Sequence, residues 1–440
     1  MKETSAVSLD NTTHSEEDEP PGTTALQSSH VCFSTDLAKL PHNVPEQLWK
    51  DWKWQFRNRI TRVEEIAQIL HLSQDEITRL NLVTMRYPCA ITPYYMSLID
   101  PDNPEDPVRK QAVPVFEEIA LSDIGMEDPL AEGKDSAVPG LVHRYPDRVL
   151  MVLTDICPML CRHCTRKREW RHGVWVRTGE QIDAMIDYIR HHTEIRDIVL
   201  SGGDPLTLST QALEKVISRL RSINHVEIIR IGSRYPVVLP QRIDDELCSM
   251  LSEYGPIWLN THFNHYREIT PESAAACDKL VRSGVPVNNQ SVLLKGVNDN
   301  VETMTKLCQG LLKIKVRPYY LYQCDEVQGT EHLRTPVDTG LKIIEGMRGH
   351  TSGLAVPTFV IDLPDGGGKV PLQPDYLLKK NKESLLLRNY EGNLYRYRNP
   401  KQGGSKRNAV QLPLEGVEKE KVPVRVAKRQ GVVDEHRVSL

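Results

Sequence analysis

The 440-residue chain has no run of about eighteen apolar residues, and no apolar signal segment at its N-terminus. A membrane-spanning helix and a secretory leader are therefore not expected. Charge of one sign is also scarce: 55 Lys and Arg stand against 59 Asp and Glu, a formal net charge of −4. That balance offers no bulk attraction to nucleic acid or to an anionic membrane. Hydrophobic content of 39% and charged content of 26% are ordinary for a globular protein. Nine cysteines cannot all pair, and three are clustered, which favours a reducing compartment and a metal site over a disulfide framework. The expectation is a cytoplasmic enzyme with one large domain and appendages.

The clustered residues are Cys157, Cys161 and Cys164, a C-x3-C-x2-C spacing in the stretch 154–168. No second cysteine pair follows nearby, so a zinc site built from C-x2-C pairs and four ligands is the weaker reading. Three thiolates this close suit three irons of a cubane iron–sulfur cluster and leave the fourth iron without a protein ligand. An open iron implies that something else binds there and that the cluster does chemistry.

Along the chain, residues 1–36 are polar and acidic and read as a disordered tail. Residues 44–121 look helical, with Trp49, Trp52 and Trp54 as packing residues. Residues 126–140 are rich in Asp, Glu, Pro and Gly and read as a linker. A strand–helix alternation starts at residue 148. The expected strands are Arg148–Thr154, Asp197–Ser201, Val226–Ile231, Pro256–Asn260, Val287–Leu294, Arg317–Tyr322 and Pro357–Asp362. Ile182, Met185, Ile186 and Ile189 mark one helix face, and Leu213, Val216, Ile217 and Leu220 another. Such alternation predicts parallel strands with right-handed crossovers, in which chemistry collects at the C-terminal strand ends. The cysteine loop, Ser201-Gly-Gly-Asp204, Asp325 and Asp362 all follow expected strands. Residues 400–440 carry nine Lys and Arg against five Asp and Glu and read as a solvated tail.

The glycines of Ser201-Gly-Gly-Asp204 let backbone approach a ligand, and the carboxylate suits an ammonium group, although a plain strand-to-helix turn reads the same way. Lys369 follows three glycines. A phosphate-binding P-loop is excluded there, because Leu363 stands where Gly is needed and Val370 where Ser or Thr would hold magnesium.

Taken together with the cysteine spacing, the segments His143–Arg148, Leu200–Asp204, Trp258–His265, Tyr319–Asp325 and Asp365–Lys369 resemble the lysine 2,3-aminomutase family of radical S-adenosylmethionine (SAM) enzymes. The likeness runs from about Trp49 to about Tyr397. It implies an α/β fold with a partial (β/α)6 radical SAM barrel over 143–354. A helical region and linker over 37–142 precede it, and a C-terminal extension over 355–440 carries the cofactor lysine. The implied cofactors are a [4Fe-4S] cluster on Cys157, Cys161 and Cys164, SAM, and pyridoxal 5′-phosphate (PLP). Ser201, Gly202, Gly203 and Asp204 would receive the amino group of SAM, with His262 beside the nucleoside and Gln290 near it. Lys369 would attach PLP as a Schiff base, Arg144 and Arg148 would clamp its phosphate, and Tyr145 would pack on its ring. Arg166 would pair with the substrate carboxylate.

Asp325 and Asp362 would hold the distal ammonium of lysine, and two acids would repel a carboxylate side chain. Read from the residues alone, both acids could instead cap helices. The implied reaction moves the α-amino group of L-lysine to C3, giving β-lysine. Arginine 2,3-aminomutation is the alternative, and a non-catalytic iron–sulfur regulatory protein is the alternative of another class. The resemblance also implies a flavodoxin- or ferredoxin-type electron donor and a homo-oligomer. Three departures stand out. Asp365 replaces a glycine of the family, as a third acid or a turn residue. Tyr235 is larger than the usual residue. The zinc cysteines of the family are missing after Tyr397 and at Asn300, so no zinc is expected.

Overall fold

The computed structural model describes residues 44–171 and 173–400. The acidic tail of residues 1–36 and nearly all of the polar stretch 400–440 lie outside the described residues.

Seven parallel strands dominate: β3 (Arg148–Val152), β4 (Asp197–Ser201), β5 (Ile228–Gly232), β6 (Ile257–Thr261), β7 (Val287–Leu293), β8 (Arg317–Gln323) and β9 (Thr358–Leu363). They pair in sequence order, and a helix lies in each of the six connections, such as Gly179–His191 and Thr210–Arg221. This is a six-unit β/α succession closed by a seventh strand. Antiparallel strands extend both edges: β1 (Ser136–Val138) and β2 (Leu141–Tyr145) beside β3, and β10 (Gly368–Pro371) beside β9. The sheet is open, with β1 and β10 as its edges. A separate three-stranded sheet follows, β11 (Leu377–Lys380), β12 (Ser384–Arg388) and β13 (Leu394–Arg398).

The pattern of the strands explains the layering. Val149, Met151, Ile198, Leu200, Ile229 and Ile231 are at most 2% exposed and share one core with Met185, Ile186 and Ile189 of the first crossover helix. Alternate residues face the opposite side of the pleat. There Asp197 pairs with Arg230 at 2.9 Å. This face mixes charged residues with Leu150, Val152 and Val199 and is only partly buried, unlike the packed opposite face. Capping fixes the helix starts: Thr178 with Gln181, and Thr270 with Ser273 behind Pro271 at the first turn. Trp49 and Trp52 pack against the core as expected.

The N-terminal helices hold the irregular cysteine loop. Arg59 Nη1 donates to Cys157 O at 2.6 Å, Leu160 N to Ala90 O at 2.9 Å, and Arg162 N to Gln111 O at 2.9 Å. The stretch 126–140 is irregular but tethered rather than a free linker. Met126 N donates to Glu326 O at 2.9 Å, Asp365 N to Pro129 O at 3.1 Å, and β1 joins the sheet.

The two glycines after β4 press on the cysteine loop. A Cβ on Gly202 would lie 2.2 Å from Thr154 O, and one on Gly203 within 2.5 Å of the backbone of Asp155 and Ile156. Gly203 N donates to Thr154 O at 2.5 Å, and Asp204 N to Ile156 O at 2.8 Å. The glycines are therefore needed against the protein's own backbone, not only for ligand approach. Gly203→Ala should destabilise the fold by roughly 1–3 kcal/mol, because two backbones must move apart. The check is chemical denaturation beside Gly179→Ala, whose added methyl meets nothing within 4 Å.

Candidate functional site

The site is built at the C-terminal ends of the parallel strands. Cys157, Cys161 and Cys164 lie on the loop after β3, and all three are free thiols. Arg166 N donates to Cys164 Sγ at 3.3 Å, and Arg234 Nη1 to Cys161 Sγ at 2.8 Å. Burial pushes the Cys157 thiol well up, with Asp204, Cys164 and Cys161 adding to the rise, and the Cys164 thiol to about 11, with Cys161 adding to it. Among the described residues no group of three His, Cys, Asp or Glu side chains converges on a single metal ion. A cubane does not ask for that, since each thiolate takes a different corner.

A cavity beside the three sulfurs is lined by Ser201, Gly202, Gly203, Asp204, Arg234, His262 and Gln290. A second cavity is lined by Glu132, Thr154, Arg168 and Trp175, and shares Cys157, Cys164, Arg166, Gly202 and Gly203 with the first. Arg166 thus stands on the partition between them. The structure brings the expected SAM-side residues together around one cavity. The carboxylate of Asp204, 4% exposed, is already engaged: Oδ1 accepts from Leu206 N at 3.1 Å, and Oδ2 from Arg234 N at 2.7 Å and Ser233 Oγ at 3.1 Å. Burial pushes its pKa up to about 7. Asp204 therefore ties the end of β4 to the end of β5 while it lines the cavity. His262 lies stacked on His163, Nε2 to Nε2 at 3.1 Å, so one of the two donates and the other accepts. Gln290 Nε2 donates to Tyr322 Oη at 3.2 Å.

A second group of residues lies about Lys369 and the ends of β8 and β9. Lys369 Nζ donates to Asp362 Oδ1 at 2.9 Å and lies 5.4 Å over the ring of Tyr322. Asp362 and Lys369 are register partners of β9 and β10. Asp325 Oδ2 accepts from Thr165 Oγ1 at 2.8 Å. Burial pushes its pKa up to about 6; the Thr165 hydroxyl opposes the rise, Asp362 adds to it and Lys369 opposes it. Neither acid caps a helix. Lys369 N donates to Tyr145 Oη at 3.0 Å, and Arg148 stacks 4.0 Å from the Tyr145 ring. Arg144 Nε donates to Asp135 Oδ2 at 2.7 Å, and Arg148 Nη1 to Asp147 Oδ1 at 2.8 Å. A Cβ on Gly368 would lie 3.1 Å from Tyr145 Oη, and one on Gly366 3.1 Å from Asp135 and 3.4 Å from Arg144. Asp365 keeps the left-handed backbone a glycine would have, φ 55° and ψ 29°. Its exposed side chain has no ion pair among the described residues, so it is a turn residue. Asn300 caps the helix Val301–Lys313 by accepting from Thr303 N at 2.9 Å. Tyr235 is fully buried, with its hydroxyl 3.2 Å from Thr207 Oγ1.

Sequence reasoning missed several residues here. Arg234, just after β5, joins Cys161, Glu268, Gln111 and His262 O; its strand-end position was the available signal. Glu118 is wholly buried with Arg162 at 2.5 Å and Lys167 at 2.7 Å. Burial alone would raise the Glu118 carboxyl, but the two cations hold it down at about 2. Burial pushes Lys167 down to about 8, against the pull of Glu118. Glu132 holds Arg166 and Arg168 at 2.6 and 2.7 Å. Nothing in the local sequence marks either acid.

An open six-unit β/α sheet with three cysteines in C-x3-C-x2-C order after its first parallel strand fits a radical SAM enzyme, and residues 151–308 match the Radical SAM superfamily. Residues 344–429 match the family described as Lysine-2,3-aminomutase. The chain is 54% identical over 358 residues to the L-lysine 2,3-aminomutase of Clostridium subterminale, covering 81% of this chain and 86% of that protein. It is 56% identical over 360 residues to that of Acetoanaerobium sticklandii, with 81% and 86% covered. To the glutamate 2,3-aminomutase of Clostridioides difficile it is 44% identical over 350 residues, with 80% and 83% covered. The chain belongs to the lysine 2,3-aminomutase family. Membership implies an isomerase with a [4Fe-4S] cluster, SAM and PLP as cofactors.

The residues present fit those groups. Three unpaired sulfurs share one cavity with an Arg234 donor, and Lys369 sits in a glycine cradle beside Tyr145 and Arg144. Replacing Glu118 by Gln should cost roughly 3–5 kcal/mol, because Arg162 and Lys167 lose the charge that compensates them. The contribution is present above the ordinary Glu range and is lost as pH falls from about 4.5 towards 2. Denaturation of the variant and parent at neutral pH checks the size, and a pH series checks the direction.

Proposed function

We propose that the chain is an L-lysine 2,3-aminomutase, forming β-lysine. The observation that carries the substrate is the acid pair. Asp325 and Asp362 face a single ammonium, that of Lys369, which leaves one negative charge uncompensated. Among the described residues the Asp325 carboxylate is held only by the Thr165 hydroxyl, and with Asp362 it would offer negative charge to the distal ammonium of a substrate. A glutamate side chain would meet two like charges in a partly buried site. The turn position of Asp365 offers no third acid for a guanidinium, which favours lysine over arginine.

The cluster and SAM supply the radical that removes hydrogen from C3, and PLP supplies the imine across which nitrogen moves. The residues of this chain bind and orient. Cys157, Cys161 and Cys164 hold the cluster. Ser201, Gly202, Gly203, His262 and Gln290 line the place for SAM. Arg144, Arg148 and Tyr145 hold PLP around Lys369. Arg166, on the partition between the cavities, takes the substrate carboxylate. A one-electron donor must reduce the cluster; we infer one of flavodoxin or ferredoxin type, and an oligomeric enzyme.

An anaerobic assay with lysine, arginine and glutamate in parallel tests the reading. Lysine turnover should dominate, and preferential turnover of glutamate would overturn it. Borohydride reduction and peptide mapping should find PLP on Lys369; attachment to another lysine would remove its role. Asp325→Asn and Asp362→Asn should each lower kcat/KM for lysine about ten- to hundredfold, since each loses a charge-assisted hydrogen bond worth roughly 1.5–3 kcal/mol. Cluster and PLP content should stay at parental levels. The Asp325 carboxyl gains its proton as pH falls through about 6. Parental kcat/KM should therefore drop below that pH, and the limb should vanish in Asp325→Asn.

A further inference from the structure

Arg166 has two hydrogen-bonding edges, and they are used differently. Its Nε and Nη2 edge is clasped by Glu132: Nε lies 2.9 Å from Oε2 and Nη2 2.6 Å from Oε1. Its Nη1 atom has only Gly202 O at 3.1 Å and a long contact to Ser201 Oγ at 3.4 Å. A guanidinium held side-on by one carboxylate keeps its plane fixed and presents its end to a second. We propose that Glu132 is a positioning residue that sets the plane and reach of Arg166 for the carboxylate of an amino-acid substrate. This rests on the reading of Arg166 given above.

Glu132 is itself built into place. It is 9% exposed and shared with Arg168, whose other partners are Asp128 and Glu169, each at 3.3 Å. The residue before it, Ala131, takes a left-handed φ of 49°, a conformation that costs a side-chain-bearing residue roughly 1–2 kcal/mol and persists only when its surroundings impose it. Those surroundings are the site itself. Pro129 O accepts from Asp365 N at 3.1 Å, Leu130 O from Arg144 Nη2, and Met126 O from Gln328 N at 3.1 Å. One loop therefore touches the segments of Lys369, Asp325 and Arg144 while its acid orients Arg166. Its placement aligns the carboxylate end of the substrate with the ammonium end.

The test uses the PLP-loaded enzyme without SAM, with ligand binding followed by the cofactor absorbance. Two ligands separate the roles: L-lysine, and 1,5-diaminopentane, which is lysine without its carboxylate. Glu132→Gln should weaken lysine binding about tenfold and leave 1,5-diaminopentane within about twofold. In turnover, KM should rise far more than kcat changes. Glu132→Asp should recover part of the loss. Arg166→Lys should weaken lysine in the same selective way, and the double variant should bind no worse than Arg166→Lys alone. Equal weakening of both ligands, tighter lysine binding, or additive losses in the double variant would overturn the role of Glu132 and leave Arg166 standing. Unchanged lysine binding in Arg166→Lys would instead remove the reading of Arg166. Thermal midpoints and iron content of all variants separate these outcomes from failure to fold.

Discussion

The site depends on one buried carboxylate. The cysteine loop has no ladder of its own, and it carries three sulfurs and two working arginines within a dozen residues. Glu118 fixes it from beneath. Its oxygens take Arg162 Nε and Nη2 and Lys167 Nζ, and all three side chains are at most 1% exposed. Arg162 spends its remaining donors on Tyr87 O and Pro88 O, and Lys167 reaches Gly329 O. The triad thus joins the N-terminal helices, the cysteine loop and the loop after β8. Two cations on one acid leave a positive charge buried beside the sulfurs, where a cluster ligated by thiolates would bring negative charge.

The same economy recurs among the residues that would meet an amino acid. Arg166 has Glu132, Asp362 has Lys369, and Arg144 has Asp135. Each of these three charges has a protein partner of opposite sign, whereas Asp325 has the Thr165 hydroxyl in place of a cation. The pairs differ in geometry. Lys369 meets Asp362 through one oxygen at 2.9 Å, whereas Glu132 clasps one edge of its arginine with both oxygens and leaves the other end free of carboxylate.

Much of this was legible in the residues. The seven parallel strands fall within two residues of the expected bounds at every end, because buried strands and amphipathic helices alternate with clear periods. The cysteines announced themselves through spacing, and Asp325 and Asp362 through strand-end position alone; the roles expected of Lys369 and of the two acids came with the family resemblance. The anchoring of Asp204 was not legible. Its motif says that a carboxylate follows two glycines, not that two backbone N–H groups and a hydroxyl donate to it. Glu118 and Glu132 were invisible for a different reason. Each lies more than thirty residues from its partner in the chain, on short helical or irregular segments without a period.

Asp365 marks where residue identity and backbone demand part company. A family glycine replaced by an acid beside the cofactor lysine invites a reading in terms of charge. The backbone there is left-handed, and Gly366 and Gly368 flank it with φ of 79° and 83°. Asp is among the few side-chain-bearing residues that visit that region readily. What the turn fixes is the direction of the chain, so that the amide of Lys369 reaches Tyr145 and its ammonium reaches Asp362. The substitution therefore preserves the geometry that positions Lys369, and the charge it adds points to solvent. In the function proposed above the paired acids on β9 and after β8 read the substrate, and the turn at Asp365 contributes direction rather than charge.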